Sequence, residues 1–186
     1  RIVIKPTWRT YEPKPGEVVL EMDPGLAFGT GLHPTTQLCV SALEDLIGPG
    51  TTVLDLGTGT GILAMVAVRL GAGRVLAVDN DENAVIAARA NMAANGLTGA
   101  IDLALGSLEN VESSFGLVIA NILAPVIIAM AGSGLAERVA SGGALVVSGI
   151  LEEQIESVVA ALEHAGLTVT ERRVQDEWAA LVAQRS

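Results

Sequence analysis

Over most of the chain, short continuous apolar runs alternate with stretches whose apolar residues recur at helical spacing. The runs predict strands and the helical faces predict helices. A first helix, with Cys39, Ala42 and Leu43 on its apolar face, ends at Gly48-Pro49, because glycine and proline stop helices. The rest of the pattern predicts strands over 53–56, 74–79, 100–105, 116–121 and 143–149, and helices over 61–70, 81–95, 124–140 and 152–165.

This order of elements favours an α/β fold. Strands that alternate with helices form a parallel sheet covered on both faces, and the uninterrupted runs VLAV, LVIA and ALVV are typical of strands buried on both sides. The last two strands, LTVTERRV and EWAALVA, have no helix between them, which predicts an antiparallel pair. We therefore expect a mostly parallel seven-stranded sheet with an antiparallel last strand and helices on both faces.

Residues 1–24 have a different pattern from the rest of the chain. Arg1 to Ile4 and Val18 to Met22 resemble short strands, and the stretch between them contains Pro6, Pro13 and Pro15. We expect these residues to form an arm or hairpin beside a main domain over 25–186.

The uncharged segment from Ser113 to Ala136 imitates a membrane span. Pro125 and the glycines at 116, 132 and 134 interrupt it, and an interior proline breaks a helix. The segment instead predicts a buried strand, a turn at Asn121 and a core-facing helix. No membrane partner is expected.

The composition argues against a nucleic-acid partner. The chain carries 11 Lys and Arg against 21 Asp and Glu, a net charge of -10, whereas nucleic-acid binding depends on basic residues that neutralise phosphates. Long-range attraction favours a basic partner instead. Cys39 is the single cysteine, which excludes an internal disulfide and fits a reducing compartment such as the cytoplasm.

A glycine-rich tract follows the strand at 53–56. Ligands of open α/β sheets bind outside the carboxyl ends of strands, and Gly57, Gly59 and Gly61 let the backbone turn sharply and approach a ligand. The dinucleotide pattern fails because Ile62 occupies its sixth position, and a phosphate loop would need a lysine. A purely structural turn is the alternative.

Polar residues end two further strands. The carboxylate of Asp79 can accept hydrogen bonds from a ribose diol, and Asn80 and Asp81 can cap the next helix in its place. Asn121 offers an acceptor and donors for an adenine or a substrate amine, although a turn-forming asparagine is the alternative. Glycines and a ribose carboxylate without a phosphate signal point to a nucleoside without phosphates, for which S-adenosylmethionine (SAM) is the candidate.

Four tracts carry a family resemblance: MDPGLAFGTGLHPTT, LDLGTGTGILA, VDND and ANILA. With them, residues 21–186 resemble the catalytic domain of the ribosomal protein L-eleven (L11) methyltransferase family (PrmA), and the opening RIVIKPTW resembles its lead-in strand. The resemblance implies a Rossmann-like class I SAM-dependent methyltransferase fold. It also implies that Gly29 to Thr36 close over the cofactor opposite the glycine tract. The cofactor-binding positions it implies are Thr36, Gly57, Gly59, Gly61, Asp79 and Asn121.

The resemblance further implies methyl transfer to lysine side-chain and N-terminal amines of ribosomal protein L11. Our hypothesis for this step is that Asn121 orients the acceptor nitrogen. The family's N-terminal substrate-recognition domain has no counterpart here, so we expect a catalytic fragment or a different substrate. Asn121-Ile122-Leu123 replaces the Asn-Pro-Pro tip of enzymes that methylate planar nitrogens. Another protein or a small-molecule amine stays open as acceptor. A non-catalytic nucleoside-binding module or a nicotinamide dehydrogenase is the alternative outside this class.

The remaining candidate residues carry weaker signals. No cluster of acids and histidines at ligand spacing indicates a metal site. His33 is either a solvated loop residue or part of the lining of an amine channel. We expect Trp8 and Trp178 to pack against the sheet.

Overall fold

The computed structural model describes residues 2–22 and 31–186. Its strands are β1 Ile2–Pro6, β2 Val18–Met22, β3 Thr52–Leu56, β4 Arg74–Asp79, β5 Asp102–Leu105, β6 Phe115–Asn121, β7 Val139–Leu151, β8 Leu167–Gln175 and β9 Trp178–Arg185. Its helices are α1 Pro34–Leu46, α2 Ile62–Arg69, α3 Glu82–Ala94, α4 Ala124–Ala131 and α5 Ile155–His164.

The main sheet of the described residues has seven strands in the order β5-β4-β3-β6-β7-β9-β8. Strands β3 to β7 pair in parallel, and β9 runs antiparallel to both of its neighbours. The predicted α/β fold with a mostly parallel sheet and an antiparallel last strand is confirmed. The sequence pattern did not predict that β9 lies between β7 and β8, which leaves β8 at the edge.

Two apolar clusters form the core, one on each face of the sheet. Alternate residues of a strand point to opposite faces, so Leu54 of β3 packs in one cluster and Val53 in the other. Helices α4 and α5 cover the first face, and α1, α2 and α3 cover the second. Both faces are buried, which explains why the central strands are predominantly apolar.

The N-terminal strands correct one expectation. β1 pairs with β2 in parallel, with Ile2 opposite Val18 and Pro6 opposite Met22. A hairpin is antiparallel, so the hairpin prediction is wrong. A parallel pair needs a crossover connection, and the proline-rich residues 7–17 make it. Leu20 and Met22 of β2 belong to the core cluster beside α1, α2 and α3. The proposed domain boundary falls in 23–30, outside the described residues, and stays a prediction.

The segment after β6 differs from the expectation in two details. Asn121 is the last residue of β6 rather than a turn residue. Helix α4 ends at Ala131, whereas the apolar pattern predicted a helix to residue 140. Gly134 has a φ of +95°, which a helix does not allow, and residues 136–138 form one 3₁₀ turn. None of the described helices combines enough length with enough apolar character to cross a membrane.

Candidate active site

The carboxyl ends of β3, β4 and β6 meet at a cavity of about 450 Å³. Most of the residues singled out in the sequence line it, because neighbouring parallel strands end at the same edge of a sheet. The lining comprises Thr36, Gly57, Thr58, Gly59, Ile62, Leu63, Asp79, Asn80, Asp81, Ala84, Asn121, Ile122, Leu123 and Val126.

The glycine tract forms a tight loop between β3 and α2. Gly57, Gly59 and Gly61 all have positive φ, and the amides of Gly57 and Thr58 donate to the carbonyl of Val78, at 2.9 and 3.0 Å. Gly61 differs in role, since it is not among the lining residues. A Cβ atom there would lie 3.1 Å from Met92 Cε and 3.2 Å from Ala88 Cβ. The structure thus places Gly61 where α2 packs against α3, outside the cavity.

Beneath this loop lies Asp55, which the sequence interpretation passed over. Its Oδ2 accepts hydrogen bonds from Thr58 Oγ1 at 2.7 Å and from the amide of Ala64 at 3.1 Å. The side chain is buried, and loss of solvation raises the pKa of the carboxyl from 3.8 to about 6. The available signal was an acidic residue in the middle of an apolar strand, directly before the glycines.

The carboxylate of Asp79 is held by backbone amides. Oδ2 accepts from Gly59 at 2.8 Å and Oδ1 accepts from Asp81 at 3.0 Å. Asp81 caps α3 through the amide of Asn83, as the sequence suggested. We expected a free carboxylate at Asp79, but these bonds fix it at the cavity wall. Each oxygen can still accept one further hydrogen bond.

Asn121 lies between two cavities. It lines the first one and also a second cavity of about 230 Å³ with His33, Thr35, Ile122, Leu123, Gly149 and Trp178. Its Oδ1 atom is buried and has no hydrogen-bond partner among the described residues. A buried acceptor without a partner is costly, so Asn121 Oδ1 is a candidate acceptor for a hydrogen bond from a ligand.

The aromatic residues of the second cavity refine the sequence interpretation. We expected Trp178 to pack against the sheet, but it begins β9 at the cavity wall, with its ring 4.9 Å from that of His33 in an edge-to-face arrangement. His33 caps α1 through Nδ1, which accepts from the amide of Thr35 at 3.4 Å and lies 2.8 Å from Thr35 Oγ1. Of the two alternatives for His33, this position favours lining a channel.

Thr36, in the first turn of α1, supplies a second buried oxygen. The residue has no exposed surface, and its Oγ1 has no hydrogen-bond partner in the described part of the chain. The glycine-rich segment before it lies partly outside the described residues, since Gly29 and Thr30 belong to 23–30. Gly31, where the description resumes, packs so closely that a Cβ atom would lie 2.8 Å from Ile4 and 3.1 Å from Ile62.

Two glycines pack closely against Ile122, in the segment directly after β6 that we call the tip. A Cβ atom on Gly57 would lie 2.6 Å from Ile122 Cγ2, and one on Gly149 would lie 2.3 Å from the carbonyl oxygen of Ile122. The amide of Ile122 donates to the carbonyl of Ser148 at 3.1 Å. Gly149 has a φ of +83° at an irregularity in the β7–β9 pairing. These close approaches fix the position of Asn121.

The cavities contain no evident metal-binding group. Within residues 2–22 and 31–186, no three His, Cys, Asp or Glu side chains come close enough together to hold a metal ion.

The strand order and the cavity at the ends of β3, β4 and β6 define a Rossmann-like class I methyltransferase fold. A SAM-dependent O-methyltransferase from Thermotoga maritima shares this fold at 17% identity and a TM-score of 0.68, over 83% of this chain and 66% of that chain. The model of the family described as ribosomal protein L11 methyltransferase (PrmA) matches residues 1–186. The chain therefore belongs to this family.

Two relatives illustrate the similarity. The ribosomal protein L11 methyltransferase of Pelotomaculum thermopropionicum is 50% identical over 99% of this chain and 60% of its own length. The crystal structure of a ribosomal protein L11 methylase from Lactobacillus delbrueckii subsp. bulgaricus has a TM-score of 0.93 at 35% identity, over all of this chain and 95% of that chain. The chain spans about 60% of the length of the curated relatives that it matches.

Replacing Gly149 tests the close approach at the tip. Gly149→Ala should lower the free energy of unfolding by about 2 kcal/mol or more, because the new methyl group collides with the Ile122 carbonyl in addition to straining the backbone. Gly142→Ala is the matched control, since Gly142 also has a positive φ of +73° but no described atom within 4 Å of its Cβ position. Urea denaturation measures both variants. Equal losses would contradict the role of the Ile122 contact.

The pKa of Asp55 predicts a dependence of stability on pH. Between about pH 4 and pH 6 the native carboxyl keeps a proton that the unfolded chain has released, so stability falls as pH rises through this window and then levels off. Asp55→Asn keeps one oxygen for Thr58 and Ala64 and removes the titration. Relative to wild type, the variant should gain about 2–3 kcal/mol between pH 4 and pH 7 in urea unfolding. A difference that does not change with pH would argue against burial of the charge.

Proposed function

We propose that this chain is the catalytic part of a SAM-dependent protein N-methyltransferase that modifies lysine side-chain and N-terminal amines of ribosomal protein L11. The observation that carries this proposal is the position of Asn121, whose unpaired oxygen lies where a larger cavity with polar groups and a small, mainly apolar cavity adjoin. A transferase needs two such compartments with one group at their junction. A module that only binds a nucleoside needs one.

The polar groups of the first cavity match those of SAM. Asp79 would accept the ribose hydroxyls, the backbone of Gly57 and Gly59 would lie against the methionine part, and the Thr36 hydroxyl would bond its carboxylate. The lining contains Asp79 and Asp81 but neither Lys nor Arg among its described residues. This charge disfavours the phosphates of a dinucleotide and suits a cationic nucleoside. When bound, SAM supplies a methyl group on a positive sulfur that an amine can attack directly.

The second cavity fits the acceptor. An amine must be neutral to react, and a free lysine amine has a pKa of about 10.4. A lining of Trp178, Leu123 and Ile122 would lower that pKa by removing water. Asn121 Oδ1 would accept one N–H of the amine and turn the nitrogen lone pair toward the first cavity. Most of the acceleration would then come from alignment, which is worth up to about 7–11 kcal/mol.

The charge of the chain suits the proposed partner. A net charge of -10 attracts a basic ribosomal protein and repels nucleic acid, so we propose no direct nucleic-acid or membrane partner. The proposed place of action is the cytoplasm, where ribosomal proteins are found. Residues 25–186 would form the methyltransferase domain. Parts of the longer relatives that this chain does not span would contribute to recognition of the substrate.

Binding and mass measurements test the proposal together. Calorimetry should detect SAM and S-adenosylhomocysteine but not NAD, and mass spectrometry of L11 incubated with labelled SAM should show added methyl groups on amines. Tight binding of NAD alone would exclude the proposal. Methylation of other proteins or of small amines, but not L11, would assign a different acceptor to the same chemistry, and cofactor binding without any transfer would favour a binding module.

Thr36→Val tests the unpaired hydroxyl. Valine has nearly the same shape, so the free protein should lose no stability, whereas the affinity for SAM should fall about tenfold because a buried hydrogen bond to the ligand is lost. Thr36→Ser, which keeps the hydroxyl, should bind SAM within about threefold of wild type. Thermal unfolding and calorimetry separate the two effects. Lower stability with unchanged affinity would assign Thr36 to the core.

Asn121→Ala tests the group at the junction. Loss of the acceptor oxygen should slow methyl transfer about 100-fold, because the amine is no longer oriented. The dissociation constant for SAM should change by less than about threefold. Single-turnover kinetics gives the first quantity and calorimetry gives the second. Equal losses in the rate of methyl transfer and in the affinity for SAM would contradict a role in orienting the acceptor.

A further inference from the structure

Asn91 of α3 and Asn95, which caps the C-terminus of α3, connect the glycine loop to the N-terminal strands. Asn91 and Asn95 are four residues apart, so they lie on the same face of the helix, one turn from each other. Asn91 is only 4% exposed, and its Nδ2 donates to the carbonyl oxygen of Thr60 at 3.1 Å. Thr60 lies between Gly59 and Gly61, so this bond holds the loop directly.

Asn95 holds strand β2 at the other end of the same face. Its Oδ1 accepts from the amide of Glu21 at 2.8 Å, and its Nδ2 donates to the carbonyl of Glu21 at 2.6 Å. This pair of bonds imitates the pairing of a neighbouring strand. Nδ2 also lies 2.8 Å from the carbonyl oxygen of Asn91, and Arg69 of α2 donates to the Asn95 carbonyl at 2.7 Å. One side chain thus connects β2 with α3.

The loop is held from two sides. Asp79 of β4 fixes the amide of Gly59, and Asn91 of α3 fixes the carbonyl of the next residue, Thr60. Two peptide groups of the loop, Thr58–Gly59 and Thr60–Gly61, therefore take their orientation from the same β4–α3 unit. A shift of α3 would therefore move the bond from Asn91 to Thr60 relative to the bond from Gly59 to Asp79.

We propose that Asn91 and Asn95 are positioning residues for cofactor binding: together they fix the glycine loop and strand β2 on one face of α3. Neither residue lines the cavity. Asn91 acts through the loop backbone at Thr60, and Asn95 acts through β2 and the carbonyl of Asn91. The inference rests on the proposed function, since the ligand that senses the loop is taken to be SAM. It assigns β1 and β2 to the framework of the site rather than to a separate arm.

The test measures the affinity for the cofactor after replacement of residues that do not line the cavity. Asn91→Ala should weaken binding of S-adenosylhomocysteine about tenfold and Asn95→Ala about threefold, the range expected when mutations act through neighbouring groups. Asn83→Ala on the same helix is the matched control, because Asn83 is exposed and bonds only to Asp81 in the described structure. The control should bind like wild type.

A second measurement separates positioning from a general loss of stability. In NMR spectra of the free protein, the amide signal of Gly59 should shift in both variants and stay unchanged in Asn83→Ala. In turnover assays the KM for SAM should rise while kcat changes little. If the buried Asn91→Ala variant fails to fold, the half-buried Asn95→Ala variant decides the matter.

The outcomes distinguish the two proposals. Failure of the wild-type protein to bind S-adenosylhomocysteine would overturn the proposed function. Wild-type binding together with unchanged affinity and an unmoved Gly59 signal in both variants would overturn the inference about Asn91 and Asn95 and leave the proposed function standing.

Discussion

The site depends on how closely three backbone segments approach each other at Ile122. Gly57 of the loop after β3 lies against the side chain of Ile122, and Gly149 of β7 lies against its carbonyl oxygen. Both glycines are so close to Ile122 that a Cβ atom would collide with it. Because the tip is held between Gly57 and Gly149, Asn121 is fixed at the wall that two cavities share. A larger residue on either side would separate the cavities or displace the carboxamide. The proposed transfer between them needs this fixed junction, since alignment provides most of the expected acceleration.

Charge adds a second constraint. Asp55 and Asp79 lie close enough that the charge of Asp79 contributes to the raised pKa of Asp55. Two acids beside one loop are unfavourable in the free protein unless hydrogen bonds stabilise them, and four donors from the loop and its flanking helices do so. The same arrangement leaves a negative field at the cavity. A positively charged ligand is attracted by this field, whereas a phosphate is repelled.

The sequence predicted what local pattern controls and missed what distant contacts control. Apolar runs identified the strands of the main sheet, and strand ends identified Asp79 and Asn121, because topology alone places those ends together. The parallel pairing of β1 with β2 was missed, since short strands with a proline-rich connection equally suggest a hairpin. The helix after Asn121 was predicted too long, because the apolar pattern continues past Gly132 and Gly134, where the helix has already ended.

The sequence pattern also failed to mark Trp178, Asp55 and the two proposed positioning residues, Asn91 and Asn95, for the same reason. Their partners are remote in sequence or are backbone atoms, and no spacing rule marks such contacts. Gly61 shows the converse case: its place in the glycine tract suggested ligand contact, and its neighbours on α3 show helix packing instead.

The size of the second cavity limits what can select the substrate. At about 230 Å³ it is smaller than the roughly 300–1,000 Å³ of typical ligand pockets, so it would hold only the end of the proposed acceptor, an aliphatic chain with its amine. A cavity that contacts only an aliphatic chain and its nitrogen distinguishes one lysine from another very weakly. Choice of a single protein must therefore come from contacts outside the cavity, to which the negative charge of the chain contributes attraction but little specificity. The proposed chemistry and the recognition of the partner are thus separate physical problems, and the two cavities bear only on the first.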